Sequence, residues 1–355
     1  MPAYFKFLTL MAFHVFIEEK VDVAVVEVGI GGEYDCTNVI RHPIVCGVTT
    51  LDYDHTALLG KTLPEIAWQK AGIFKSGSEA IVVDQTEEAL SVMVERARER
   101  KCILHVAPRF DEYDWPSDSM DFGIKGRHQY PNISLAMQLV KVWMERTARK
   151  ENLVLQNQID NNHQNLVLPP FPIPNEFLDG LRLCEWPGRS QVIQNRGIVF
   201  YLDGAHTQKS VEYCSQWFDT ERRELEKKLG GSFLRVLLFH CTADRTPDSL
   251  LPYFKSAGFD IAVFCPARLN SIVDPSSDQA NFNSNENSEV EKVNASECVW
   301  RKVNGKSSTV KRFSCITEAF NYITSLSKQE TRKIEVLVTG SLHLIGGVLS
   351  LITPD

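Results

Sequence analysis

The chain has 355 residues, of which 43% are hydrophobic and 23% charged, an ordinary globular composition that excludes a mainly disordered protein. Its length suits two domains at about 100–200 residues each. With 38 basic against 45 acidic residues the net charge is -7, which argues against a duplex nucleic-acid binder that works by neutralising phosphates.

Residues 4–20 read as a helix. Its apolar stretch, Phe5 to Ile17, is interrupted by Lys6, Thr9 and His14 and is too short to span a membrane. It lacks the basic start and small-residue cleavage site of a signal peptide, so a buried helix is expected. The β-branched run Val21–Val28 has the pattern of a buried parallel strand. A glycine-rich turn follows, then a second strand-like run over Ile44–Thr50. Thr62-Leu63-Pro64-Glu65 combines an N-cap, a Pro in the first turn and a capping-box Glu, and opens a helix to about Ala71. Ala80–Val83 is expected as a strand, Thr86–Arg100 as a helix, Cys102–Val106 as a strand and Pro131–Arg149 as a helix. Such alternation predicts an α/β layer on a parallel sheet.

Residues 150–180 change character. Asn and Gln cluster over Gln156–Asn165, and four prolines fall between Pro169 and Pro174, the composition of a linker or interdomain excursion. A second α/β set starts near Leu181. Strands are expected at Ile198–Leu202, Leu234–Phe239, Ile261–Cys265 and Ile334–Thr339, and helices at Thr207–Lys228, Pro247–Ala257, Ile316–Ser327 and Leu342–Ile352. Ser271–Ser288, rich in Ser, Asn and Asp, reads as a surface loop. The nine cysteines are scattered and form no C-x-x-C, so they are expected as reduced thiols of a cytosol-like compartment.

Seven segments have residue types that suit chemistry, and each also has a plain structural reading. Glu27 precedes Gly29-Ile30-Gly31-Gly32 at the expected carboxyl end of a strand, where open α/β sheets bind ligands; the third glycine of a dinucleotide fingerprint would fall at Tyr34, so that motif fails. Asp54-His55 follows the next strand, placed for a metal or merely exposed. Lys70 ends the capped helix before Gly72, as a functional amine or as a cation on the helix dipole. His128, Gln129 and Asn132 enter a helix, as ligand contacts or caps. Arg189, in Trp186-Pro187-Gly188-Arg189, could clamp a phosphate or make an interdomain ion pair. Asp203-Gly204-Ala205-His206 and Thr339-Gly340-Ser341 each join a strand to a helix, where an anion can bind.

In this order the segments resemble the folylpolyglutamate synthases, which belong with the Mur ligases. The resemblance covers nearly the whole chain, and Val25–Asn38 and Val338–Leu344 are similar to the animal enzymes especially. It implies a two-domain α/β fold. An incomplete P-loop-type ATPase domain with a parallel sheet, the remnant of a central ATP-binding ligase domain, is expected over 1–149. A linker follows over 150–180, and a Rossmann-like C-terminal Mur-ligase domain over 181–355. The implied activity is an acid–amino-acid ligase of one-carbon metabolism: ATP-dependent addition of L-glutamate to reduced folate polyglutamates through an acyl phosphate, with Mg²⁺ and K⁺. By the same resemblance Glu27 and His55 ligate Mg²⁺, and Lys70 matches a lysine that becomes carbamylated and supplies a metal oxygen. Asn132 contacts adenine, Arg189 the phosphates, Asp203 and His206 the nucleotide, and Ser341 the glutamate side. A cytoplasmic or mitochondrial monomer without nucleic-acid or integral-membrane partners is expected.

One feature departs from the family pattern. Gly60-Lys61-Thr62 and Gly305-Lys306-Ser307 lack the earlier glycine of G-x-x-x-x-G-K-S/T, which would fall at His55 or Trp300. The front of the ATPase domain is therefore expected to be missing, leaving weak or no activity in the chain alone. The rival readings are a dihydrofolate synthase, or a non-catalytic remnant that binds folate or a partner.

Overall fold

The computed structural model describes residues 3–116, 121–148, 166–242, 245–271, 286–305 and 307–352. The chain divides into two compact units, one of Met1–Met120 with His128–Asp179, the other of Asp121–Arg127 with Gly180–Asp355.

The first unit opens with α1 (Tyr4–Glu18), followed by irregular chain and a 3-10 turn at Cys36–Val39. Then come β1 (Val45–Val48), α2 (Thr56–Leu59), α3 (Leu63–Lys70), β2 (Glu79–Val82), α4 (Glu87–Arg100), β3 (Ile103–Val106) and α5 (Tyr130–Ala148). The three strands are parallel in the order β1-β2-β3. Side chains alternate across the sheet as the pleat requires. Ala80 and Val82 join the core with α3 and α4, while Ile81 and Val83 pack with Leu135 and Val142 of α5. The sequence signals at α3 hold: Thr62 and Glu65 form the capping box, with Pro64 in the first turn.

Val21–Val28 is not a strand. It runs as irregular chain with Val21, Val23 and Val25 exposed. The described residues place no strand beside β1 on its free edge, and a β-branched run becomes a strand only where a ladder satisfies its backbone. The expected buried helix likewise becomes α1 with Tyr4, Leu10 and Ile17 exposed.

The linker expectation over 150–180 falls in part on residues 149–165, which lie outside the described residues. Beyond them, Val167 bridges to Val106, and α6 (Asn175–Leu183) follows Pro174, whose carbonyl accepts from the amide of Phe177.

The second unit contains β4 (Gln191–Asn195), β5 (Ile198–Asp203), α7 (Gln208–Leu229), β6 (Phe233–Phe239), α8 (Pro247–Leu250), β7 (Ile261–Phe264), α9 (Glu286–Asn304), β8 (Thr309–Arg312), α10 (Ile316–Leu326), β9 (Lys333–Thr339) and α11 (Leu342–Ile352). The strand order is β4-β5-β9-β6-β7-β8, parallel except for β4. Helices α10 and α11 cover one face; α7, α8 and α9 cover the other. The helix expected at Pro247–Ala257 changes to a 3-10 turn at Leu251, because Pro252 has no N–H to continue the ladder. The loop expected at Ser271–Ser288 lies mostly outside the described residues, and its end belongs to α9. Strand β4 was not anticipated: its partly exposed edge position gives no continuous apolar run.

One charge lies in the middle of this sheet. Glu335 is fully buried on β9, flanked in register by Val199 and Arg235. Its carboxylate is 3.7 Å from the Arg235 guanidinium, and the Tyr201 hydroxyl donates to it at 3.5 Å. Burial pushes this carboxyl from 4.5 up to about 7, Glu226 adds to the rise, and Arg235 and Arg222 oppose it. A raised acid favours the protonated folded state, so the associated stability is full below 4.5 and is lost as pH rises to about 7. Glu335→Gln is expected to remove that loss. At pH 8 the variant should gain on the order of 2–4 kcal/mol, with a higher Tm. Identical pH slopes of Tm for variant and wild type between about pH 5 and 8 would overturn this assignment.

Candidate functional site

In the first unit the glycine-rich segment folds onto the end of α3. The Glu33 amide donates to the Gln69 carbonyl at 2.8 Å. Gly32 has φ +159°, and a Cβ there would lie 2.6 Å from the Gln69 carbonyl oxygen, so only glycine permits this approach. Asn38 Nδ2 donates to the carbonyls of Glu33 (3.0 Å) and Gly72 (3.1 Å). Asp35 accepts from the amides of Ile30 and Thr37, both at 2.9 Å, and from the Thr37 hydroxyl at 2.6 Å. Burial raises its pKa, but these donors outweigh it and hold the carboxyl below the usual range.

Lys70 is the last residue of α3 and is partly buried. Burial lowers its pKa, and Asp54 partly counters that shift. His55 has a left-handed backbone (φ 50°) at the start of α2, with Nε2 3.7 Å from the Asp54 carboxylate. Asp54 thus stands by both His55 and Lys70. Glu27 is exposed in the irregular segment rather than at a strand's end. Asn132, in the first turn of α5, donates to Gln129 Oε1 at 2.9 Å.

Among the described residues no three His, Cys, Asp or Glu side chains cluster as a metal-holding group. Mg²⁺ usually takes one or two carboxylates and fills its octahedron with waters and substrate phosphates. The sparse carboxylate and imidazole donors near Lys70 fit that nucleotide-borne kind of ion and not an all-protein cage.

In the second unit the other expected residues meet at the carboxyl edge of the sheet. The register sets Asp203 beside Thr339, and Thr339 beside Phe239. Strand β5 hands over to α7 on one face and β9 to α11 on the other, so β9 is a topological switch, the place where open α/β sheets form a crevice. Asp203 is 7% exposed. Its carboxylate accepts from the Ser190 amide (2.8 Å), the Ser190 hydroxyl (3.1 Å) and the Ala205 amide (2.9 Å). It therefore ties the Arg189-Ser190 turn to the loop after β5. His206 Nδ1 lies 2.7 Å from the Gly204 carbonyl. Ser341 is buried at the head of α11, and its hydroxyl accepts from the His343 amide at 3.2 Å. Gly340 (φ +100°) passes so close to the His240 carbonyl that a Cβ would lie 2.4 Å from it. Arg189 makes no ion pair among the described residues and lines a pocket of about 610 Å³ with Lys125, Trp186, Tyr201 and Glu221.

No family model matches the chain. The Homo sapiens mitochondrial folylpolyglutamate synthase is 38% identical over 100% of this chain and 70% of its own. The chain belongs to the folylpolyglutamate synthase family. The Bos taurus mitochondrial enzyme is 37% identical over 100% of this chain and 70% of its own, and a Caenorhabditis elegans relative is 43% identical over 99% and 67%. The fold agrees. A Mycobacterium tuberculosis folylpolyglutamate synthase solved with ADP and AMPPCP matches 100% of this chain and 74% of its own, with TM-score 0.72 and 22% identity. Escherichia coli FolC solved with DHPP and ADP matches 99% and 71%, with TM-score 0.66 and 22% identity. The α/β fold and family expected from the motifs are thus borne out.

Family motifs pointed to Asp203, but nothing in them showed that Ser190 would occupy its carboxylate. Ser190 is 2% exposed and thirteen residues away. Only the antiparallel pairing of β4 with β5 brings the two together. His240, 1% exposed and 3.5 Å from the Glu289 carboxylate, was also missed; a polar residue straight after the apolar run of β6 was its one signal. Asp203→Ala is expected to lower stability by about 2–5 kcal/mol, since it strands buried donors, and Asp203→Asn by less. A chemical-denaturation midpoint unchanged in Asp203→Ala would refute this tethering role.

Proposed function

We propose that the chain adds L-glutamate to reduced folates and their polyglutamates at the expense of ATP. The observation that carries the reading is kinship with folylpolyglutamate synthases over the full chain. The folate's terminal carboxylate attacks the γ-phosphate of ATP, breaking the bond to the bridging oxygen and releasing ADP, to give an acyl phosphate; the incoming amine then displaces inorganic phosphate, losing a proton, to form the γ-glutamyl amide. The barrier is largely charge repulsion, so cations and positioning dominate.

The proposed roles follow the family resemblance. Glu27, His55 and a carbamylated Lys70 would hold Mg²⁺, which would neutralise phosphate charge; K⁺ would be a second cation. Lowering of the Lys70 pKa by burial favours the neutral amine that carbamylation requires. Asn132 contacts adenine and Arg189 the phosphates. His206 faces the nucleotide beside the loop that Asp203 fixes, and Ser341 shapes the glutamate side from the head of α11. The protein acts as a monomer in the cytoplasm or mitochondrion. Among the described residues no helix is long and apolar enough to cross a membrane.

Because no G-x-x-x-x-G-K-S/T match occurs, the chain should be assayed alone and joined to a P-loop segment, with ATP, Mg²⁺, tetrahydrofolate and labelled L-glutamate. The joined protein is expected to add glutamate and the chain alone to do so weakly, since several phosphate donors are lost and each costs about 10²–10³ in rate. No addition in either form, or use of dihydropteroate alone, would overturn the proposal.

In the active form Lys70→Ala should cut turnover at least about 100-fold with Tm nearly unchanged. Arg189→Ala should raise the KM for ATP about tenfold, the loss of roughly 1.4 kcal/mol of binding. A ¹³C-bicarbonate carbamate signal should be present in the wild type and absent from Lys70→Ala. Parallel loss of folding and activity in Lys70→Ala would leave the lysine a helix-end cation only.

A further inference from the structure

Glu33 stands in the glycine-rich segment, and its side chain enters an ion cluster. Its carboxylate is 2.5 Å from Arg96 Nη2 and 2.6 Å from Arg100 Nη2, both on α4. The Glu33 and Arg96 side chains are only 17% and 7% exposed. The Arg96 guanidinium lies 4.3 Å from the Trp68 ring centroid on α3 and also pairs with Glu99 at 2.8 Å. A Cβ on Gly72 would lie 2.4 Å from the Glu33 Cα, so the backbone around Glu33 is seated against the turn that follows Lys70.

These contacts act on one short stretch from two sides. The Glu33 amide donates to the Gln69 carbonyl, and the Asn38 side-chain amide donates to the carbonyls of Glu33 and Gly72, just past the end of α3. The carboxylate joins the same stretch to α4. A poorly solvated carboxylate between two guanidiniums is a directional connection, and its removal leaves the buried Arg96 guanidinium with the exposed Glu99 as its ion pair. An exposed surface ion pair would impose no such constraint.

We infer that Glu33 is a positioning residue: through Arg96 and Arg100 it locks the glycine-rich loop to α4, so that the loop and Lys70 at the end of α3 keep one fixed relation. This deepens the proposed ligase function and rests on it for its catalytic consequence; the locking itself does not depend on that reading.

The test uses Glu33→Ala, Glu33→Gln and Glu33→Asp. Amide hydrogen exchange is followed at Glu33, Asp35 and Asn38, with Ile81 and Val82 of β2 as internal controls. Exchange of the loop amides should rise at least about tenfold in Glu33→Ala and Glu33→Gln, remain nearer wild type in Glu33→Asp, and stay unchanged at β2. In the glutamate-addition assay, kcat should fall about 10–100-fold in Glu33→Gln while the KM for L-glutamate changes less than about twofold, the signature of lost positioning. Glu33→Asp should recover part of kcat. Unchanged loop exchange in both Glu33→Ala and Glu33→Gln overturns the locking. Faster loop exchange with unchanged kcat overturns the positioning role. If the wild type shows no ligase activity, the functional proposal fails while exchange still decides whether Glu33 locks the loop.

Discussion

The second unit depends on where β9 inserts. It is the last strand in the chain, yet it pairs on one side with β5 and on the other with β6, both parallel, over nearly its full length. That double ladder sets Asp203, Thr339 and Phe239 abreast and brings three strand-to-helix turns to one edge. Without β9, the turns at Gly204 and His240 would belong to two strands with an open gap between them. Such long-range parallel pairing must overcome loop-closure entropy before it gains contact energy. It can do so here because both faces of β9 are buried, with Val336 and Val338 toward α10 and α11 and Leu337 toward α7.

Once β9 is in place, small residues and buried polar groups define the edge. Gly340 lets the chain turn against the His240 carbonyl. Asp203 uses its carboxylate to hold Ser190 and Ala205, which fixes the turn bearing Arg189. The guanidinium is left without an ion pair among the described residues. Glu335 shows the cost of using the same strand for polar chemistry, as its buried carboxyl lies 3.7 Å from Arg235, longer than a close charged hydrogen bond.

The first unit builds its candidate site differently. Among the described residues three short strands pair, and the glycine-rich segment is held from outside the sheet. Gln69, Gly72, Arg96 and Arg100 do for this loop what a ladder would do for a strand. Lys70 closes a helix that the cap and proline start, and a 3-10 turn follows it directly.

The sequence by itself determined the elements whose cause is local. The capping box at Thr62 and Glu65, the helices starting at Thr86 and Thr207 and the largely apolar runs of β5, β6 and β9 were all legible, because a cap spans four residues and a buried strand needs no partner to look apolar. The ordered motifs from Glu27 to Ser341 also disclosed the family. Tertiary structure alone decided whether Val21–Val28 became a strand, since a β-branched run has no ladder until a neighbour supplies one. It alone paired Ser190 with Asp203 and Glu33 with Arg96 and Arg100. Those partners are thirteen, sixty-three and sixty-seven residues apart, and no local periodicity encodes which distant charge or donor will face a given carboxylate when the chain packs.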